Sequence, residues 1–486
     1  MTSEPTGHPR GIYTLFFTEM WERWSYYGMR ALMVPFMTMA SGGIGFEKKQ
    51  AMAIFGLYLA TVYASAFPGG WVGDRLLGTK RAVWWGGVAI ALGHLILAMH
   101  GRTTFFLGLL IIALGSGLLK SNMSALVGLL YPEGGQRRDA GFTIFYMGIN
   151  LGAFVGPLIS GWLQQSEGLG WRWAFGSATA GMFLGLVQWQ LTRKALEGVG
   201  ERIAHPGQNL KREWVIFYMA LIGLATVVIL CVSGAITLDP VWLAHAVTIV
   251  ISVVAALFFA WLLLFGGLDG DEKARVGLII MLFGVCALFW AGFEQMGSSF
   301  NVFAEEHTVR EFGSWVIPTA WFQSVNPLFV ILLSPLVALL WQGMDRRGIS
   351  LSMTTKMGVA MLLLAFGFGL AVIAAHRALD VGKVWPLWLL GIYLCHTLGE
   401  LCLSPVGLSA VTKLSPHRYT GQMMGIWFLG TSLGDVLSGI IAGEVSGDAM
   451  IAMPVIFTRV VWISSVAGLL LLIFAKKLQK FARGVE

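Results

Sequence analysis

Charge is scarce in this sequence. Asp, Glu, Lys and Arg make up 12% of its 486 residues, where soluble domains carry about 25%. Cysteine is scarcer still. The four present, Cys231, Cys286, Cys395 and Cys402, each lie in an apolar run, which excludes a disulfide framework. No GxxxxGK[ST] loop occurs, so an ATP-driven pump of the phosphate-loop type is excluded. No HExxH or GxSxG motif occurs, so no recognisable hydrolase is present and no enzyme is expected. A potassium-type filter is also missing. The net charge of +7 comes with no basic stripe, zinc spacing or aromatic RNA motif, so nucleic acid is excluded as a partner. His396 and Glu400 stand four apart, too few ligands for a metal site. Neither metal nor cofactor is expected.

What is abundant is apolar length. Hydrophobic residues make up 56% of the chain. Runs such as "FFLGLLIIALGSGLLKSNMSALVGLL" match the roughly 30 Å hydrocarbon core of a bilayer. The polar breaks divide the chain into fourteen spans, the first at 12–38, the ninth at 273–304 and the last at 455–480. The N-terminal "MTSEPTGHPRG" is short and polar, and no removable signal peptide is expected. Alternate loops place about 22 Lys/Arg on one side and about 8 on the other. Arg10, Lys80, Arg138, Arg347 and Arg483 are among the larger group. The excess marks the cytoplasmic face, so both termini are expected inside.

The loops and spans repeat. "GDRLLGTKR" after the second span echoes "MDRRGISLS" after the tenth. Each puts an Asp-Arg pair, Asp74-Arg75 or Asp345-Arg346, at a cytoplasmic helix end. "FYMGINLGAFVGP" echoes "WFLGTSLGDVLSG", with Gly148, Leu151 and Gly152 lying 282 residues before Gly430, Leu433 and Gly434. The expected fold is an all-α polytopic membrane protein in a 6+2+6 arrangement. A six-helix bundle would occupy 1–195, an inserted helix pair 196–272, and a second bundle 273–486. Repeated halves are the architecture of secondary transporters, with the site between them at the bilayer midplane.

Charge inside the spans is therefore informative. "EMWERWSYYGMR" in the first span puts Glu19, Glu22, Arg23, Tyr26 and Arg30 three or four apart, on one helix face. Each central charge costs about 2.5–3.5 kcal/mol to insert. Two readings stand: a Glu19–Arg23 pair that fixes packing, or a proton- or ligand-binding stripe. Lys120, Asn150, Glu294, Gln295, Gln323, Asn326 and Glu400 also lie in spans. An interhelical hydrogen bond would explain any one of them; beside Pro327, Asn326 also fits a helix kink. Together they put cations (Arg30, Lys120) in the first half and anions (Glu294, Glu400) in the second, a polarity suited to a zwitterion. Arg30 could grip a carboxylate with both arms of its fork. Tyr26, Tyr27, Tyr63 and Trp427 could wall side-chain pockets or anchor the chain at the membrane interface.

These motifs carry a resemblance. "EMWERWSYYG" is similar to the first-helix E-x-x-E-R-F-x-Y-Y-G signature of the proton-coupled oligopeptide transporter (POT/PTR2) family of the major facilitator superfamily, bacterial type. "FYMGINLGAF", "FWAGFEQ", "WFQSVNPLF" and "GELCLSPVGLS" resemble later signatures of that family, in order. The resemblance implies a major facilitator fold and a symporter that imports di- and tripeptides with protons, by alternating access. It implies proton coupling at Glu19, Glu22, Arg23 and Glu294. Pairs Arg30–Glu294 and Lys120–Glu400 follow from it. So does substrate contact at Tyr26, Tyr27, Arg30, Tyr63, Lys120, Asn150, Asn326, Glu400, Ser404 and Trp427, although the residues alone give Ser404 no task. Asp74, Arg75, Asp345 and Arg346 would latch the cytoplasmic side. Two positions depart from the pattern. Trp24 stands where the family usually has Phe, and Phe293 precedes Glu294 where some relatives have a second acid. The expected setting is a functional monomer in the lipid bilayer of a bacterial inner membrane. The alternative is a proton-coupled carrier of another small solute: nitrate, an amino-acid-like compound or a peptidomimetic. A peptide sensor without flux is disfavoured, because no loop exceeds about 20 residues.

Overall fold

A computed structural model describes residues 7–99, 101–132, 135–202, 209–349, 351–445 and 449–482. Arg483 lies outside them. Sixteen α-helices follow one another among the described residues. They are α1 (Gly11–Thr38), α2 (Lys48–Ala64), α3 (Ala66–Val72), α4 (Thr79–Leu97), α5 (Arg102–Leu129), α6 (Gly135–Gln165), α7 (Gly170–Thr192) and α8 (Leu210–Val232). Then come α9 (Pro240–Phe265), α10 (Gly270–Phe293), α11 (Ser299–His307), α12 (Val325–Arg346), α13 (Met353–Val381), α14 (Leu387–Leu414), α15 (Thr420–Val445) and α16 (Ala449–Phe481). α2 and α3 form one broken span, Lys48–Leu77, and α10 and α11 another, Gly270–His307. That leaves the fourteen helical spans expected. Eleven are long and apolar enough to cross a membrane by composition alone. α1 carries Glu19, Glu22, Arg23 and Arg30, and is not one of the eleven.

Two breaks were not legible in the sequence. Ser65 separates α2 from α3, and its Oγ donates to Ala113 O of α5 at 2.7 Å. α3 ends in a wide turn, Gly73–Leu77, closed by Gly78 at φ +82°. A side chain at Gly78 would strain that backbone and strike Arg202 N at 2.6 Å. α10 tightens into a 3₁₀ turn, Glu294–Met296, before α11 resumes. A two-residue hairpin, β1 (Glu311–Phe312) with β2 (Trp315–Val316), also goes beyond the sequence reading.

The chain divides into two compact units. Unit 1 is Met1–Leu32 with Ala64–Asp239, and unit 2 is Met33–Tyr63 with Pro240–Glu486. In unit 1, Ile12, Leu15, Leu119, Met123, Leu126 and Phe145 build a core among α1, α5 and α6. Glycines let the helices meet there. A Cβ on Gly148 would stand 2.8 Å from Phe16 O, and one on Gly152 would overlap Met20 O. Gly156 likewise takes Trp24 O. These three glycines, four apart, seat α1 in a groove of α6.

Unit 2 repeats the device. A Cβ on Gly434 would stand 2.7 Å from Ala287 O of α10, and one on Gly430 would stand 3.0 Å from the Phe283 ring. The sequence echo thus marks the same packing in each unit: α6 receives α1, and α15 receives α10. An aromatic core of Phe289, Phe300, Phe368, Tyr393 and Phe457 fills the rest. α8 buries no residue; its Val215, Ile216, Met219 and Ile222 are exposed, as a lipid-facing helix requires.

Candidate functional site

In unit 1 the site is built on α1, because its charged face turns inward. Glu19, Glu22 and Arg23 are 2%, 0% and 3% exposed. Arg23 Nε lies 2.8 Å from Glu19 Oε1 and 2.7 Å from Glu22 Oε2. One guanidinium therefore neutralises part of two buried carboxylates. This goes beyond the Glu19–Arg23 pair expected from spacing. The stripe continues along the same face. Arg23 lies over the Tyr26 ring and Arg30 over the Tyr27 ring, each at 5.6 Å. Tyr26 and Tyr27 meet edge to face at 5.2 Å, so the two cations sit on a rigid aromatic pair.

Lys120 of α5 is half-buried and within electrostatic reach of Glu22. Asn150 of α6 is buried and donates to Tyr146 O, one turn back, at 2.9 Å. The glycine groove holds all this in place: a Cβ on Gly152 would come within 2.9 Å of Arg23 Cβ. Asp74 and Arg75 are exposed in the turn after α3. Arg75 Nη1 lies 3.6 Å from Glu213 Oε1 of α8.

In unit 2 the polar groups gather around α14. Asn326 Nδ2 donates to Glu400 Oε2 and to Thr397 Oγ1, both at 3.0 Å. Thr397 Oγ1 in turn donates to Tyr393 O at 2.7 Å. The Asn326 amide is thus spent on orienting a carboxylate, and the helix-kink reading does not account for it. Ser404 sits one turn past Glu400, and its Oγ is buried without a hydrogen-bond partner, so it is available to a ligand. The buried Trp427 ring fills the space beside Gly407, where a Cβ would overlap it. Tyr63 ends α2 and is half-buried.

Glu294 is 4% exposed and begins the 3₁₀ turn that interrupts α10. Ser298 Oγ donates to Glu294 O at 3.2 Å, and Gln323 Nε2 to Met296 O at 2.5 Å. The break is where this carboxylate departs from regular helix. Asp345 and Arg346 are exposed at the end of α12. Two functional candidates were missed in the sequence, Thr397 and the fully buried Asp435 of α15. Thr397 gave no signal beyond a hydroxyl three residues before Glu400. Asp435 stood in plain view in "LGDVLSG". No cluster of three metal-binding side chains occurs among the described residues.

A family model described as the POT family matches residues 80–455. The peptide transporter YePEPT of Yersinia enterocolitica is 40% identical over 93% of this chain and 91% of its own length. The di-/tripeptide transporter of Lactococcus lactis subsp. cremoris is 34% identical over 99% and 98%. Among solved structures, the peptide transporter POT in complex with sulfate superposes with a TM-score of 0.90. It is 36% identical, over 98% of this chain and 96% of that one. The long helical spans, the buried stripe of α1 and these matches have one reading: the chain is a multi-span membrane transporter, not an enzyme, and belongs to the POT family.

Proposed function

We propose that this transporter is a symporter that imports di- and tripeptides with protons, by alternating access, across a bacterial inner membrane. The observation that carries this reading is the buried bridge in which Arg23 serves both Glu19 and Glu22. Two carboxylates share one guanidinium there, so protonation of either one changes the pairing. Relatives named for peptide and di-/tripeptide transport support the choice of solute.

In the proposed cycle, protons neutralise carboxylates among Glu19, Glu22 and Glu294. Arg30 then leaves Glu294, and Lys120 leaves Glu400, so that both cations take the peptide carboxylate. Glu400, presented by Asn326, takes the peptide ammonium. Tyr26, Tyr27, Tyr63, Asn150, Ser404 and Trp427 line the peptide. Two six-helix halves, 1–195 and 273–486, rock about the site, while the inserted pair within 196–272 stays outside the chemistry. Asp74-Arg75 and Asp345-Arg346 latch the cytoplasmic side, where both termini lie. The coupling ion is the proton, no cofactor takes part, and a monomer suffices.

The test is uptake of labelled dialanine into proteoliposomes with and without an inward proton gradient. Accumulation that needs the gradient is expected. Folded, inserted protein that does not accumulate the peptide would overturn the peptide reading. The second reading, an amino-acid-like or peptidomimetic solute, has support in POT transporters whose structures hold alafosfalin or 5-aminolevulinic acid. The same assay with those compounds separates the two.

A further inference from the structure

The inserted helix α9 takes no part in the cycle above, yet it walls a cleft in unit 2. Its first turns meet the start of α2 and the end of α15 there. Lys49, Val241, His245, Ile440, Gly443 and Glu444 line the cleft. The space is about 330 Å³, open side included. That is the small end of ligand pockets, which run to about 300–1,000 Å³.

The cleft follows from how two helices part. At Gly439 the backbones of α15 and α2 touch. A Cβ there would stand 2.6 Å from Met52 O and 3.0 Å from Gly56 Cα, so the contact needs a residue without a side chain. One turn on, a Cβ at Gly443 would meet Lys49 Cγ at 3.4 Å and Lys49 O at 3.6 Å. Those are ordinary contacts, and packing against α2 would accept a side chain at 443. Glycine leaves this wall of the cleft bare.

The floor is apolar and the rim polar. Ala53, Ala244 and Val436 are buried together, with Val241 and Ile440 packed against them. Lys49, His245 and Glu444 are exposed at the mouth. Lys48, next to Lys49, pairs with Glu306 instead. Glu444 lies 3.6 Å from Arg459, so its charge is answered by that cation. Lys49 is then the surplus charge of the rim, and the cleft suits an anion.

Depth and continuity point to the occupant. α2 begins at Lys48, α9 at Pro240, and α15 ends at Val445. The rim therefore lies where spans end, at the level of lipid headgroups. Trp242, in the first turn of α9, is 64% exposed, as an interfacial anchor is. His245, Ile249, Val253 and Leu257 stand four apart, on one helix face, and the last three are exposed. An outward apolar strip thus begins at the rim of the cleft and runs down α9.

We propose that this cleft binds the headgroup of an anionic phospholipid. The phosphodiester sits on Lys49, His245 offers a further hydrogen bond, and the acyl chains lie along the strip of α9. The inference does not depend on which solute is carried.

The experiment is photocrosslinking of the full chain in phosphatidylcholine vesicles. The probe is a small fraction of phosphatidylglycerol carrying a photoreactive group at its head. Labelled peptides are mapped by mass spectrometry. Labelling is expected at the starts of α2 and α9, displaced by unlabelled phosphatidylglycerol and not by phosphatidylethanolamine. Lys49→Gln should lower it about tenfold, the loss of one charged hydrogen bond. Gly443→Leu fills the cleft and should lower it as well. Lys49→Gln changes only an exposed side chain, so it decides the matter where Gly443→Leu does not fold. Label spread evenly over the lipid-facing helices, or unchanged in either folded variant, would overturn the site. Equal displacement by phosphatidylethanolamine would overturn the anionic class.

Discussion

Asn326 binds Glu400 through a single 3.0 Å hydrogen bond from Nδ2, and the same nitrogen donates to Thr397. The amide plane is fixed at two points, and through it one oxygen of the carboxylate. Thr397 is tied to its own helix through Tyr393 O. Glu400 is thereby aimed by α12 while being carried on α14.

Thr397→Val keeps the side-chain shape and removes the anchor of Asn326. One net hydrogen bond is worth about 0.5–1.5 kcal/mol. The peptide KM should rise roughly three- to tenfold, with the maximal rate little changed. Asn326→Ala should cost more, because the lost bond is to a charged group. Uptake kinetics in proteoliposomes check both. Equal kinetics for Thr397→Val and the natural protein would remove Thr397 from the site.

Arg23→Leu leaves Glu19 and Glu22 buried with their shared cation gone. Breaking such an arrangement costs about 3–5 kcal/mol. The variant should melt well below the natural protein in detergent. Glu19→Gln together with Glu22→Gln, in the Arg23→Leu background, should restore much of the loss, since no buried charge of that group then remains. Thermal melts of the three proteins check the order.

The glycines of α6 allow a sharper contrast. Gly152→Val puts atoms onto Met20 O and against Arg23 Cβ, so α1 must move. Gly128 and Gly176 have open space where a Cβ would stand. Changing either of these to Ala should leave melting within about 0.5 kcal/mol or raise it slightly, by the helix propensity gained. Gly152→Val should abolish uptake or prevent accumulation of folded protein. Size-exclusion profiles and melts distinguish these outcomes.

Much of this was legible in the sequence, for a physical reason. In an apolar span every charge stands out, so Glu19, Glu22, Arg23 and Arg30 announce an inward face by themselves. The glycine echo announced a repeated contact, though not that Gly148, Gly152 and Gly156 cradle the helix carrying that face. What stayed hidden depends on neighbours distant in the chain. The break at Ser65 needs the Ala113 carbonyl, and the task of Thr397 needs Asn326. A hydroxyl in a helix usually bonds its own backbone, so Thr397 looked ordinary. Asp435 adjoins Gly434, whose place in the repeated contact accounts for the motif without it.

Glu22→Gln separates coupling from transport. The amide keeps the size of the side chain and its place beside Arg23, but it cannot gain or lose a proton. If Glu22 carries the coupling proton, the inward gradient no longer drives accumulation, while exchange of peptide for peptide across the membrane continues. Exchange needs only that the loaded carrier turn around, and it turns around with Glu22 already neutral. The measurement is a pair of proteoliposome assays, gradient-driven uptake and counterflow, on the same preparation. Loss of both would point to binding or folding instead of coupling. Retention of full gradient-driven accumulation would assign the proton to another carboxylate, with Glu19 and Glu294 the next to substitute.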